Sequence, residues 1–154
     1  MGERDLVFVK PGHLKESFSI LNFLDAELIA KYSFNFSDFS RRETVFIHPL
    51  RKDIEEHYKK FRDFCFFEST IDTYVKKGMV LTIYSSEREI IGSVKKIIGD
   101  KDPLNARSNT IRGIFGTDSL EEAFREKRYC ANVIHSSYNK IEAEREINIW
   151  EKYF

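Results

Sequence analysis

The chain has 154 residues, enough for one domain with a substantial core. Its 25 basic and 25 acidic residues cancel, so the overall charge does not point to nucleic acid or to an anionic membrane surface. No apolar run approaches the roughly 20 residues needed to span a bilayer, and 14 Phe with 7 Tyr predict a globular, phenylalanine-rich core.

Two cysteines, Cys65 and Cys130, are too few for a metal cluster, and one disulfide would not staple a chain of this size. The opening MGERDLVFVK carries early charges and too short an apolar segment for a signal peptide. It also has Leu6 where a myristoylation motif wants serine or threonine. The expectation is a cytoplasmic, reducing setting.

Residues 5 to 9, DLVFV, predict a short strand stopped by Lys10-Pro11-Gly12. Lys10 is then either the last solvated residue of that strand or a ligand for an anion. Leu14, Phe18, Leu21 and Leu24 share one helical face over 14–24. The alternation of Leu28, Ala30, Tyr32, Phe34 and Phe36 predicts a half-buried strand over 27–36. Residues 37 to 49 read as a loop with a short strand at 44–47, closed by Pro49.

Leu50, Ile54, Tyr58 and Phe61 form the stripe of a surface helix over 50–61. Most of the aromatic run Phe64-Cys65-Phe66-Phe67 reads as core, and a short helix follows over 68–77. MVLTIY at 79–84 is a strand bounded by Gly78 and Ser85-Ser86. A helix over 90–98 stops at Gly99. Pro103, Asn105 and Ser108 then make 100–109 a loop, and Arg112 sits in a glycine-flanked turn at 110–113. A charged helix over 119–128 opens with a Ser119-to-Glu122 capping box, and its charges read as a solvated face.

A last strand at 130–134 leads to a last helix over 139–154. Asn139 and Glu142 are its cap and third residue, and Ile141, Ile147, Trp150 and Tyr153 mark its buried side. No repeat or linker interrupts the order. Strands separated by helices without strict alternation predict an α+β fold with helices on a sheet.

His135 follows the last strand and precedes Ser136-Ser137, with Glu146 farther along the final helix. An imidazole placed there can bind a metal, move protons or attack an electrophile. His13, His48 and His57 lack such company and read as surface histidines.

Several short motifs occur in one order. They are KPG at 10–12, HY at 57–58, FF at 66–67, Gly99-x-x-x-Pro103, TIRG at 110–113, Asn132-x-x-His135-x-Ser137 and Glu146-x-x-x-Trp150. From about residue 6 to 151 the chain resembles the nucleoside diphosphate kinase family. The resemblance implies a ferredoxin-like βαββαβ core, with a four-stranded antiparallel sheet and helices packed on it. It also implies ping-pong transfer of a nucleoside triphosphate's terminal phosphate to a nucleoside diphosphate, through a phosphohistidine at His135.

By the same resemblance Glu146 orients the imidazole, with Ser137 beside it, and Tyr58 lies near the transferred group. Lys10 and Arg112 face the phosphates, Asn132 and Lys10 hold the ribose 3′-hydroxyl, and Phe66 stacks on the base. Mg²⁺ would come mainly through the nucleotide phosphates rather than on protein ligands. The implied partners are nucleotides and further copies of the chain, as a hexamer or a dimer or tetramer, with no nucleic acid and no membrane.

The chain also departs from the family's pattern. It has KPG where the family has KPD, and Lys95 and Lys101 stand at the positions of an arginine and a threonine. Ser136 and Tyr138 flank Ser137, and extra residues fall near 39–49 and between Arg112 and Asn132. Because lysine is a point charge where arginine is a fork, these changes bear on rate and base preference. The competing reading is a catalytically weak nucleotide-binding or regulatory module of the same fold.

Overall fold

The computed structural model describes residues 2–154. Its central strand is β1 (Glu3–Val9), in which Leu6, Val7, Phe8 and Val9 are all fully buried. Val7 and Val9 enter one core and Leu6 and Phe8 the other, which explains an unbroken apolar run in place of an alternating one. β4 (Met79–Ser86) pairs antiparallel with β1 from Glu3↔Ser86 to Val9↔Val80. On the other side β5 (Ile134–Ser136) sets His135 directly opposite Phe8.

The far edge is shared by β2 (Phe39–Arg41) and β3 (Val45–Ile47), both antiparallel to β4. Arg41 faces Tyr84 and Val45 faces Leu81, so four steps on one side meet three on the other. That is a bulge. Arg42 bridges it, donating its backbone N–H to the Ile83 carbonyl and accepting from the Thr82 hydroxyl. The sheet therefore holds five strands rather than four, because one edge position is occupied by a broken strand. The fold class is α+β with a ferredoxin-like arrangement, as expected.

One face is covered by α1 (Ser17–Tyr32) and α4 (Ile91–Ile98), which bury Ile20, Leu21, Leu24 and Leu28 against Val94, Ile97 and Ile98. The strand expected over 27–36 does not form. Leu28 continues the stripe of Leu21 and Leu24, so α1 runs on to Tyr32 and ends at Ser33, whose φ of 59° is left-handed. Phe36, the last residue of the supposed alternation, is 86% exposed.

The other face is covered by α2 (Arg51–His57), α3 (Phe67–Lys77) and α7 (Lys140–Trp150). Ile54, Ile71, Tyr74, Ile147 and Trp150 close over Leu6 and Phe8, each such side chain contributing about 1.5–3 kcal/mol of burial. The helix expected over 50–61 splits, its last residues forming a tighter turn at Lys59–Phe61. On α7 the buried residues are Ala143, Glu146, Ile147 and Trp150, and Ile141 lies off that stripe, 79% exposed. Asn139 caps α7 by accepting from the Glu142 N–H.

Two short helices, α5 (Ile111–Phe115) and α6 (Leu120–Arg125), fill the crossover before β5. The turn expected at 110–113 is thus the first turn of α5, capped by Thr110. The last strand begins at Ile134, later than expected, because the backbone before it is bent. Among the described residues no helix is long and apolar enough to cross a membrane.

Candidate active site

The bend before β5 is local and strained. Val133 has a φ of 76°, with the Ile134 N–H bonded to the Asn132 carbonyl across it. A β-branched residue rarely adopts this backbone, at a cost of about 1–3 kcal/mol. The surroundings hold it. Arg112 donates from Nε to the Asn132 carbonyl at 2.9 Å, and from its two terminal nitrogens to the carbonyls of Ile134 (2.7 Å) and Gly99 (3.1 Å). Lys10 donates its backbone N–H to the Val133 carbonyl. Gly99 has a φ of 90°, and a Cβ there would lie 2.5 Å from the Thr110 hydroxyl oxygen, so only glycine brings its carbonyl to Arg112.

This bend delivers His135 with one face stacked on Phe8, the ring centroids 4.5 Å apart. His135 Nε2 lies 2.8 Å from Glu146 Oε2, which also accepts from the Ser137 hydroxyl at 2.7 Å. Burial pushes the Glu146 carboxyl up, but the His135 imidazole, its hydrogen bond and Ser137 outweigh this and bring it to about 2. An anionic acceptor places the imidazole proton on Nε2 and leaves the lone pair on Nδ1. Behind the pair, Asp5 accepts from the Ser137 N–H at 2.9 Å, while its second oxygen is buried without a partner.

His57 is not the surface residue expected: it is 3% exposed and its ring centroid lies 4.8 Å from that of His135. Trp150 donates its indole N–H to His57 Nδ1 at 3.1 Å. An indole nitrogen only donates, so His57 is the neutral Nε2–H tautomer. Burial and the neighbouring His135 push it the same way, well below the usual histidine range. His13 is also buried, against the Ala131 carbonyl, whereas His48 is exposed.

The expected residues, apart from Ser137, line one cleft of about 990 Å³; Ser137 is fully buried behind Glu146. Lys10 donates from Nζ to Asn132 Oδ1, and Asn132 Nδ2 donates to the Lys101 carbonyl. Burial, with Arg112 close by, lowers the Lys10 ammonium to about 7, and burial brings Arg112 to about 10. The Tyr58 hydroxyl lies 2.9 Å from that of Tyr74, and burial raises both phenols, so Tyr58 stays a neutral donor. Lys95 donates to the Tyr138 carbonyl and sits 4.0 Å over its ring. Phe66 stacks on Phe64 with centroids 5.3 Å apart.

One group here has the donor types of a metal site: atoms of His57, His135 and Glu146 lie within 4.8 Å of one another. In this tautomer His57 Nδ1 is taken by Trp150, and Glu146 Oε2 is shared by His135 and Ser137. The group is therefore built as a hydrogen-bonded cluster. A hard cation wants oxygens, and Asp100 and Glu121, which also line the cleft, add carboxylates to that of Glu146.

His57 was legible in principle, because it stands three residues after Ile54 on the buried stripe of α2. Phe8 carried no chemical signal, being one more apolar residue in a strand.

A family model described as "Nucleoside diphosphate kinase" matches residues 3–153. A nucleoside diphosphate kinase of Pyrococcus furiosus is 31% identical over 150 residues, covering 97% of this chain and 83% of the relative. One from Pyrococcus horikoshii is 32% identical, covering 97% and 85%. Among solved structures, a transition state mimic of nucleoside-diphosphate kinase from Borrelia burgdorferi, with bound vanadate and ADP, superposes with a TM-score of 0.80. It shares 21% identity over 97% of this chain and 86% of its own. A halophilic nucleoside diphosphate kinase from Halobacterium salinarum in complex with CDP gives 0.77, at 21% identity over 97% and 88%.

Proposed function

The chain belongs to the nucleoside diphosphate kinase family, and from that premise we propose that His135 carries the phosphoryl group between nucleotides. The enzyme transfers the γ-phosphate of a nucleoside triphosphate to a nucleoside diphosphate by a ping-pong route. The observation that carries the residue assignment is the hydrogen bond from His135 Nε2 to Glu146, which frees Nδ1.

In the first half-reaction the Nδ1 lone pair attacks the γ-phosphorus, and the bond to the bridging oxygen breaks, releasing the diphosphate. The Nε2 proton stays in its bond to Glu146, whose charge offsets the positive charge on the ring. A terminal oxygen of the incoming diphosphate then attacks the same phosphorus and the P–N bond breaks. No net proton moves, so no separate base is needed.

Lys10, Arg112, Lys95 and Lys101 supply positive charge to the phosphates and Tyr58 a hydroxyl donor. Asn132 with Lys10 holds the ribose, and Phe66 supports the base. Mg²⁺ would be held by the nucleotide's own phosphate oxygens, with Asp100 nearby at the cleft wall. When bound it neutralises phosphate charge.

The whole chain acts as one domain in the cytoplasm and assembles as a homo-oligomer. Exposed Phe18 and Phe36 beside the open β2 edge support that assembly.

Incubation with ATP and Mg²⁺ gives an acid-labile, alkali-stable phosphoprotein that ADP or GDP discharges. A His135→Ala chain that takes up the same label would overturn the assignment.

A further inference from the structure

Two phenylalanine rings that line the cleft are open to water, one on α6 in the crossover and one just before α3. Phe124 on α6 is 54% exposed and Phe64 is 48% exposed. The Phe124 ring centroid lies 6.3 Å from that of Phe66, with the planes at 63°. Phe64 already occupies one face of Phe66, and Phe124 stands against it from the inserted helix.

The helix is held firmly in place. Asp118 accepts from both terminal nitrogens of Arg128 at 2.8 and 2.9 Å, and from the backbone N–H groups of Ser119 and Ala131. Its carboxyl is brought down to about 2, first by Arg128. Ser119 caps the helix, Ala123 anchors it in the interior, and the Cys65 thiol reaches the Phe124 carbonyl at 3.6 Å. A rigid mount that leaves a large aromatic side chain in water has a cost that a ligand would remove.

We propose that Phe124 closes on the nucleobase as a second aromatic face, so that the base is held between Phe124 and the Phe66 side of the cleft. This rests on the nucleotide-kinase reading of the same cleft. A flat base between two parallel rings needs about 7 Å between their planes, twice the van der Waals spacing of about 3.5 Å. The ring centroids stand 6.3 Å apart with the planes at 63°, so a base enters by displacing the edge of Phe124 from Phe66, and Phe124, exposed, has two side-chain torsions with which to turn its face to it. Such a grip touches π-faces and leaves base edges unread. It favours purines over pyrimidines by stacked area.

Phe124→Ala, whose lost ring is exposed, should raise KM for ATP and GTP about tenfold and for CTP about threefold, with the loss falling on KM and not on kcat. Phe124→Trp should retain wild-type values. Unchanged KM in Phe124→Ala, or a fall in kcat at constant KM, overturns the clamp. ATP labelling of the wild-type chain, run alongside, separates the two ideas. A labelled wild type with unaltered Phe124→Ala constants refutes the clamp alone, and an unlabelled wild type refutes both.

Discussion

Replacing Glu146 with glutamine tests the site's charge arrangement in two independent ways. The wild-type carboxyl, at about 2 against an ordinary 4.5, is ionised in the folded chain at lower pH than in the unfolded one. A depressed acid contributes stability above its unfolded value and loses it as pH falls through the folded one. The difference of about 2.5 pH units corresponds to up to about 3 kcal/mol at neutral pH. Glutamine mimics the protonated acid, so Glu146→Gln should be less stable by up to that amount at pH 7, with the gap closing between pH 4.5 and 2. Urea unfolding at several pH values reads this. The same change lets an amide N–H face His135, which favours the wrong tautomer, and removes a charge-assisted bond worth about 1.5–3 kcal/mol, so turnover should fall about 10- to 150-fold. A pH-independent stability gap, or turnover within threefold of wild type, would refute the orienting role.

Two further outcomes follow from buried charges. Lys10, at about 7 in the free cleft, should gain a proton on meeting phosphate, so nucleotide affinity should weaken by up to tenfold per pH unit above 7. Lys10→Met should bind more weakly at every pH and lose that slope in a calorimetric titration. For Asp5 the direction is opposite to Glu146: burial, reinforced by Glu146, raises its carboxyl. A raised acid costs stability as pH climbs above its unfolded value of about 4. Asp5→Asn keeps an acceptor for the Ser137 N–H, and its denaturation midpoint should exceed the wild type's by a margin that grows with pH.

Which parts of the fold were legible follows from what each residue reports locally. β1 and β4 read correctly because continuous apolar runs between turn residues have few alternatives. The caps at Ser119 and Asn139 also read correctly, because capping is a contact three residues long, but the box expected at Ser119 is only half formed, since the Ser119 N–H donates to Asp118 in place of Glu122. Residues 27–32 misled because their side chains happen to alternate. Leu28 belongs to a stripe set by Leu21 and Leu24, and only α4 packing opposite reveals which period matters. The bend at Val133 was invisible, since nothing in a valine announces a positive φ; Arg112, twenty-one positions earlier, imposes it.

The expected site residues came from ordered motifs, and a motif names side chains without saying which hydrogen bonds they have already spent. Arg112 illustrates this: three of its nitrogens hold backbone carbonyls around the strained turn. Its role is thus double, to charge the cleft and to keep His135 at its address. His57 illustrates the converse. A histidine within 4.8 Å of the ring of His135, the proposed nucleophile, would oppose phosphorylation if it were cationic. Trp150 prevents that by claiming Nδ1, so the positive charge that grows on His135 meets a neutral ring on one side and the Glu146 carboxylate on the other. The proposed attack at phosphorus would therefore leave the surrounding protonation states as they were, which is the condition under which the same cleft can serve donor and acceptor nucleotides in turn.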